Sequence, residues 1–170
     1  MQIIIATDGN LNPDLTTEIA ARIFQEGDSI TLATAVEVPR TLLTDLRGFF
    51  RTPPPTADID EDHEYVGQPT AGTLASSWPG DDAMIARYVD DQTVKRTKAV
   101  KQALAARGIT PEVVARESDT PAATILELVA ELEAGVLLIG THGRGRFEGL
   151  LGSTGTKLAR LAPCTVILIR

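Results

Sequence analysis

The sequence predicts an α/β protein, a doubly wound parallel sheet of five strands in the order 3-2-1-4-5 with helices on both faces. Three observations point there. Short apolar runs alternate with helical stripes along the chain, two of the helices open with a cap residue followed by proline, and a glycine-rich loop follows the fourth apolar run. Strands separated by helices imply right-handed crossovers and hence a parallel sheet covered on both sides.

Taken in order, Gln2–Ala6 carries the continuous β-branched run Ile3-Ile4-Ile5, the pattern of a strand buried on both faces. Asn12-Pro13 supplies a helix cap and a first-turn proline. Leu15, Ile19 and Ile23, with Ala20 and Phe24, then mark one apolar helical face, and Gly27 is placed to end it. Ile30–Val36 reads as the second strand. A helix is expected from about Asp82 to Arg107, stopping at Gly108, and Glu112–Ala115 is the third strand. Thr120-Pro121 opens the next helix, with Ile125, Leu128, Val129 and Leu132 as its inward stripe. Val136–Ile139 is a short, wholly apolar fourth strand. A helix from about Ser153 to Leu161 follows, Pro163 breaks it, and Thr165–Ile169 closes the chain as an edge strand. The arrangement is Rossmann-like, and such sheets bind ligands beyond the carboxyl ends of the strands where the order reverses. Here that point lies between strands 1 and 4, so the loops to watch are Thr7-Asp8-Gly9 and Gly140 to Gly145.

Composition limits the function classes. The 170 residues suit one domain, read over 1–170, and such a chain buries roughly two-thirds of its unfolded surface without disulfide or metal. Hydrophobic residues make up 43% and aromatics only 4%, so the core must be aliphatic. A net charge of -7 argues against nucleic acid and anionic membranes as partners, since both need a positive field. The single cysteine, Cys164, excludes a disulfide framework and a cysteine-rich zinc site, and reads as a small buried hydrophobe. The N-terminal apolar run is too short for a signal peptide and nothing is long enough to span a bilayer, so a cytoplasmic protein is expected.

One region breaks the pattern. An irregular insertion of about 40–81 holds Pro53-Pro54-Pro55, the acidic cluster Asp58, Asp60, Glu61, Asp62 and Glu64, and the aromatics Phe49, Phe50, Tyr65 and Trp78. Within it, Leu42 to Phe50 suits one turn or a short helix. It reads either as a solvated loop or as a lid or partner-docking segment.

The glycine loop carries the chemistry. From Gly140 to Lys157 it offers glycines that let backbone approach a ligand, the Ser153 and Thr154 hydroxyls at a helix start, and the cations Arg144, Arg146 and Lys157. Phosphate fits that set; a tight strand-to-helix turn is the plainer reading of the glycines alone. A Walker motif, a dinucleotide G-x-G-x-x-G and a Ser-Gly-Gly phosphate motif are all missing. His142 lacks a nucleophile and an acidic orienting partner, and His63 lies far from it, so neither a catalytic triad nor a metal site is expected.

Several segments resemble the universal stress protein family: I-I-I-A-T-D-G, a second strand ending A-V-E-V-P, D-T-P-A-A-T-I-L, V-L-L-I-G-T-H-G-R-G, and the ending G-S-T-G-T-K-L-A-R-L-A-P-C-T-V-I-L-I-R. The resemblance spans the chain except about Arg40 to Asp81. ATP-binding members carry G-x2-G-x9-G-[ST], which Gly140, Gly143, Gly152 and Ser153 match with one departure. Eight residues separate Gly143 from Gly152, where the family usually has nine. One residue is at most ~3.3–3.6 Å of chain, longer than a hydrogen bond, so the loop must close more tightly to hold the same phosphate.

The resemblance implies a stress-response or signalling protein that binds ATP, with magnesium bridging the phosphates, and that does little or no chemistry on it. Asp8 would face the ribose or adenine side, the Ala35 backbone would read the adenine edge, and Ile139 and Gly140 would lie under base and ribose. Gly143, Gly152, Ser153 and Thr154 would hold phosphates, with Thr7, His142, Arg144 and Gly145 completing the site. It also implies a homodimer through strand 165–169 and a protein partner that sequence does not name. Two rival functions remain beside it: slow ATP hydrolysis or phosphotransfer at the same site, and a nucleotide-free interaction module.

Overall fold

The computed structural model describes residues 1–39, 41–45, 80–141 and 151–170. Among them the elements run β1 (Gln2–Ala6), α1 (Pro13–Ile23), β2 (Ser29–Val36), α2 (Asp81–Ala105), β3 (Glu112–Glu117), α3 (Pro121–Glu131), β4 (Ala134–Gly140), α4 (Ser153–Leu161) and β5 (Thr165–Ile169). All strand pairs are parallel and the sheet order is β3-β2-β1-β4-β5, as the sequence predicts.

The chain forms two compact units. Met1–Val38 with Tyr88–Arg170 holds the sheet; the other, Pro39–Arg87, is described at a helical turn over 42–45 and in the first turns of α2. Most of the proline-rich and acidic insertion, with its aromatics and His63, lies outside the described residues.

Strand alternation divides the core in two. On one face Ile3, Ile5, Leu32 and Leu138 pack with Ala20 of α1 and with Val100 and Leu104 of α2. On the other, Ile4, Ala33, Leu137 and Ile139 pack with Ile125, Leu128 and Val129 of α3 and Leu158 of α4. Helices thus cover both faces, and the central strand is sealed: Ile3, Ile4 and Ile5 are each 0% exposed. The core is aliphatic, with Phe24 the aromatic side chain packed against it among the described residues.

Local signals differ from their sequence reading in several places, β4 among them, which runs Ala134–Gly140 rather than Val136–Ile139. Gly27, at φ +89°, sits in the turn before β2 rather than ending α1, which is closed instead by the Phe24 amide donating to the Ala20 carbonyl at 2.9 Å. β3 continues past Ala115 to Glu117, because pairing with β2 runs on to Val36. Thr120 makes no side-chain cap; Ser118 takes the local role, its hydroxyl oxygen accepting from the Thr120 amide at 2.9 Å and from the Thr124 hydroxyl at 2.6 Å.

Candidate functional site

The chain leaving β1 and the chain leaving β4 part company at the carboxyl end of the sheet. The Thr7 amide donates to the Ala33 carbonyl of β2 at 2.9 Å, whereas the Thr141 amide donates to the Ile169 carbonyl of β5 at 2.8 Å. One loop is drawn toward β2 and the other toward β5, and a crevice opens between two strands that are paired lower down. This is the topological switch point.

A cavity of about 220 Å³ occupies the crevice. Its apolar lining is Ala6 of β1, Ala35 of β2, Ile139 of β4, Pro121 and Ile125 of α3, and Leu158 of α4. Thr7, Asp8, Asn10, Glu37, Arg96, Thr141 and Thr154 supply the polar groups, with Gly140 and Gly155 at the backbone. Small side chains make the room: on the face that carries the bulky Ile4 and Leu137, β1 and β2 end in Ala6 and Ala35.

Of the sequence-predicted residues, Thr7, Asp8, Ala35, Ile139, Gly140 and Thr154 come together around this cavity. Gly152 and Ser153 form the N-cap and first residue of α4 beside it but do not line it. His142, Gly143, Arg144, Gly145 and Arg146 lie outside the described residues. The loop after β1 is internally fixed: the Gly9 amide donates to the Thr7 hydroxyl oxygen at 2.9 Å, and the Asn10 amide and side-chain Nδ2 donate to the Asp8 carboxylate at 3.0 and 3.2 Å. Asp8 is exposed at the rim.

Sequence reading missed Arg96. Its guanidinium Nη1 donates to the Ala35 carbonyl at 2.8 Å, and its own carbonyl accepts from the Thr7 hydroxyl at 3.5 Å. Gly9 suits the first loop through its backbone: φ is +99°, a left-handed conformation that favours glycine, while a Cβ there would only come into contact with the Arg96 Cα at 3.4 Å. A signal was available, since Thr97, Val100 and Leu104 are the buried positions of α2 and Arg96 adjoins that stripe. Among the described lining residues Arg96 is the only cation, set against the carboxylates of Asp8 and Glu37.

The phosphate-binding potential lies at α4. Its N-cap is Gly152, no side chain caps it, and no acidic residue stands in its first turn, so the leading amides are open to an anion. Among the described residues no group of three or more His, Cys, Asp or Glu side chains is placed to hold a metal ion. No helix among them is long and apolar enough to cross a membrane. Cys164 is half-buried against the core cluster of α3 and α4, and desolvation pushes its thiol pKa up.

The fold and the crevice define a doubly wound α/β protein with a cavity at its switch point. The model of the universal stress protein family matches residues 1–170, and the chain belongs to that family. No curated protein matches the chain in sequence. Among solved structures, a universal stress protein of Lactobacillus plantarum is similar at TM-score 0.56 and 18% identity, covering 100% of this chain and 97% of that one. One from Archaeoglobus fulgidus gives 0.51 and 15%, over 100% and 93% of the two chains. A universal stress protein solved in complex with cAMP gives 0.52 and 19%, over 100% and 96%. At such identities the likeness is one of fold.

Proposed function

We propose that this protein binds an adenine nucleotide, ATP with magnesium, in the crevice between β1 and β4, as a signal or stabilising ligand rather than a substrate. The observation that carries the reading is the hollow of mixed apolar and polar lining at the switch point, with an uncapped, acid-free helix start on its β4 side. Its size sets the pose. About 220 Å³ is smaller than the ~300–1,000 Å³ of most ligand pockets, so base and ribose fill it and the phosphates extend over the start of α4. Family membership and the relative solved with cAMP support a nucleotide as the ligand class.

In this reading the edge of the base reaches Ala35, Ile139 and Gly140 lie under base and ribose, Asp8 takes ribose hydroxyls, and amides from Gly152 to Gly155 donate to phosphate oxygens. Gly143 and its neighbours in the glycine loop complete the phosphate cradle. Magnesium is carried by the phosphates, since it binds with few protein ligands. We read 1–170 as one universal-stress-type domain carrying an insertion, cytoplasmic, and a homodimer through the edge strand β5. Nucleotide binding shifts the protein toward a nucleotide-bound state whose surface at the crevice a protein partner reads.

Mass spectrometry of small molecules released from gently purified protein is the test. An adenine nucleotide near one per chain is expected. Nucleotide-free protein whose melting temperature does not move with magnesium-ATP would support an interaction module instead.

A further inference from the structure

Resting on the nucleotide reading, we propose that Arg96 determines the base specificity of the cavity, favouring a purine with an oxygen at position 6 over one with an amino group there. The two ends of the cavity are told apart by topology. Anion donors lie at the start of α4, which follows β4, and β2 stands on the opposite side of β1 from β4. A ligand whose phosphates sit at α4 therefore carries its base toward the β2 end, where Ala35, Glu37 and Arg96 line the wall.

The chemistry of that end is set by one hydrogen bond. A bare strand end would offer the Ala35 carbonyl as an acceptor, which suits the exocyclic amine of adenine. Here the carbonyl already accepts from Arg96 Nη1 at 2.8 Å, and the guanidinium brings further N–H donors to the same place. A 6-amino group meets donors where it needs an acceptor. A 6-oxo group meets its complement: guanidinium donors engage O6 and N7 in the bidentate manner arginine uses toward such an edge. Glu37, on the same wall, is an acceptor for the N1–H that a 6-oxo purine carries and adenine lacks. The second lone pair of the Ala35 carbonyl keeps adenine from being excluded, so the effect is a shift in preference. No carboxylate pairs with Arg96 among the described residues, which leaves its remaining donors for a ligand.

Titration calorimetry of the full chain with magnesium-ATP and magnesium-ITP tests this. Wild-type protein binds ITP at least as tightly as ATP. In Arg96→Met the ratio Kd(ITP)/Kd(ATP) rises by about tenfold, the scale of one hydrogen bond gained or lost. Circular dichroism confirms that the variant is folded, and should it fail to fold, the wild-type preference alone decides. Wild type preferring ATP by tenfold or more, or an unchanged ratio in Arg96→Met, overturns the role of Arg96 while leaving nucleotide binding intact. Failure of both nucleotides to bind wild type overturns the nucleotide reading itself, and this inference with it.

Discussion

The four described helices begin in two different ways. α1 is capped: the Asn12 side chain accepts from the Asp14 and Leu15 amides at 3.1 and 3.2 Å, and Asp14 adds a negative charge to the first turn. α2 carries Asp81 and Asp82 at its start. α3 and α4, whose first turns reach the cavity through Pro121 and through Thr154 and Gly155, have neither a side-chain cap nor an acid in the first turn, whereas α2 meets the cavity only at Arg96, far from its start. In a chain with 23 Asp and Glu residues, acids are not in short supply for those positions. A capped or acid-bearing start spends its amides and dipole on the fold; an open start keeps them for something else. The lesson is that helix starts can separate elements whose first turn lies at the crevice from those whose start lies elsewhere.

Placing a carboxylate at an open start should break that division most severely. Thr154→Asp is expected to weaken magnesium-ATP binding by tenfold or more, measured by calorimetry, because it sets negative charge against the phosphates. The same change should raise the stability of the ligand-free protein by about 0.3–1 kcal/mol through the helix dipole. Adenosine, lacking phosphates, should lose much less affinity. A variant that loses adenosine and ATP equally would mean that α4 is not the anion end.

The reciprocal change removes a cap from the structural side. Asn12→Ala should cost about 1 kcal/mol in denaturant unfolding and leave nucleotide affinity within about twofold. A large loss of affinity there would erase the distinction between the two kinds of start.

Away from every helix start, the edge strand β5 provides a control. Leu168 is 44% exposed, and an apolar edge invites pairing with another chain. Leu168→Lys should change the thermal midpoint little while converting a sedimenting dimer to monomer. A wild-type chain that sediments as a monomer at micromolar concentration would remove the proposed dimer. Smallest of all is the effect expected at Cys164. Burial raises its pKa, so less thiolate is present near pH 8 and an aromatic disulfide reagent should label it more slowly than free cysteine, faster only as pH rises further. Labelling at the free-cysteine rate would contradict the half-buried environment.

How legible all this was depended on what each residue answers to. The central strands were plain because burial on both faces leaves a run of apolar residues, as at Ile3, Ile4 and Ile5. Sheet order followed from alternation and handedness, and with it the position of the crevice. Features that depend on a few ångströms of backbone were less visible. Thr120-Pro121 looks like Asn12-Pro13, yet only Asn12 caps, since Ser118 takes over the local hydrogen bonds of the other start. Gly27 looked like a helix stop and serves the turn before β2. Arg96 was overlooked because a long, charged side chain beside an apolar stripe normally reaches solvent; here the open Ala35 carbonyl at the end of β2 gives it a partner inward. The cavity residues named from the sequence were strand ends, the loop after β1 and Thr154 at a helix start, while Ile125, on a helix flank, passed as part of an inward stripe.

The most direct test of the division between base end and phosphate end is a pair of amide chemical-shift titrations on isotope-labelled protein, one with adenosine and one with magnesium-ATP. Both ligands should move Ala35, Ile139 and Thr141, and only ATP should move Ser153, Thr154 and Gly155 strongly. Shifts at α4 that are the same for both, or that cluster away from the crevice, would contradict the account.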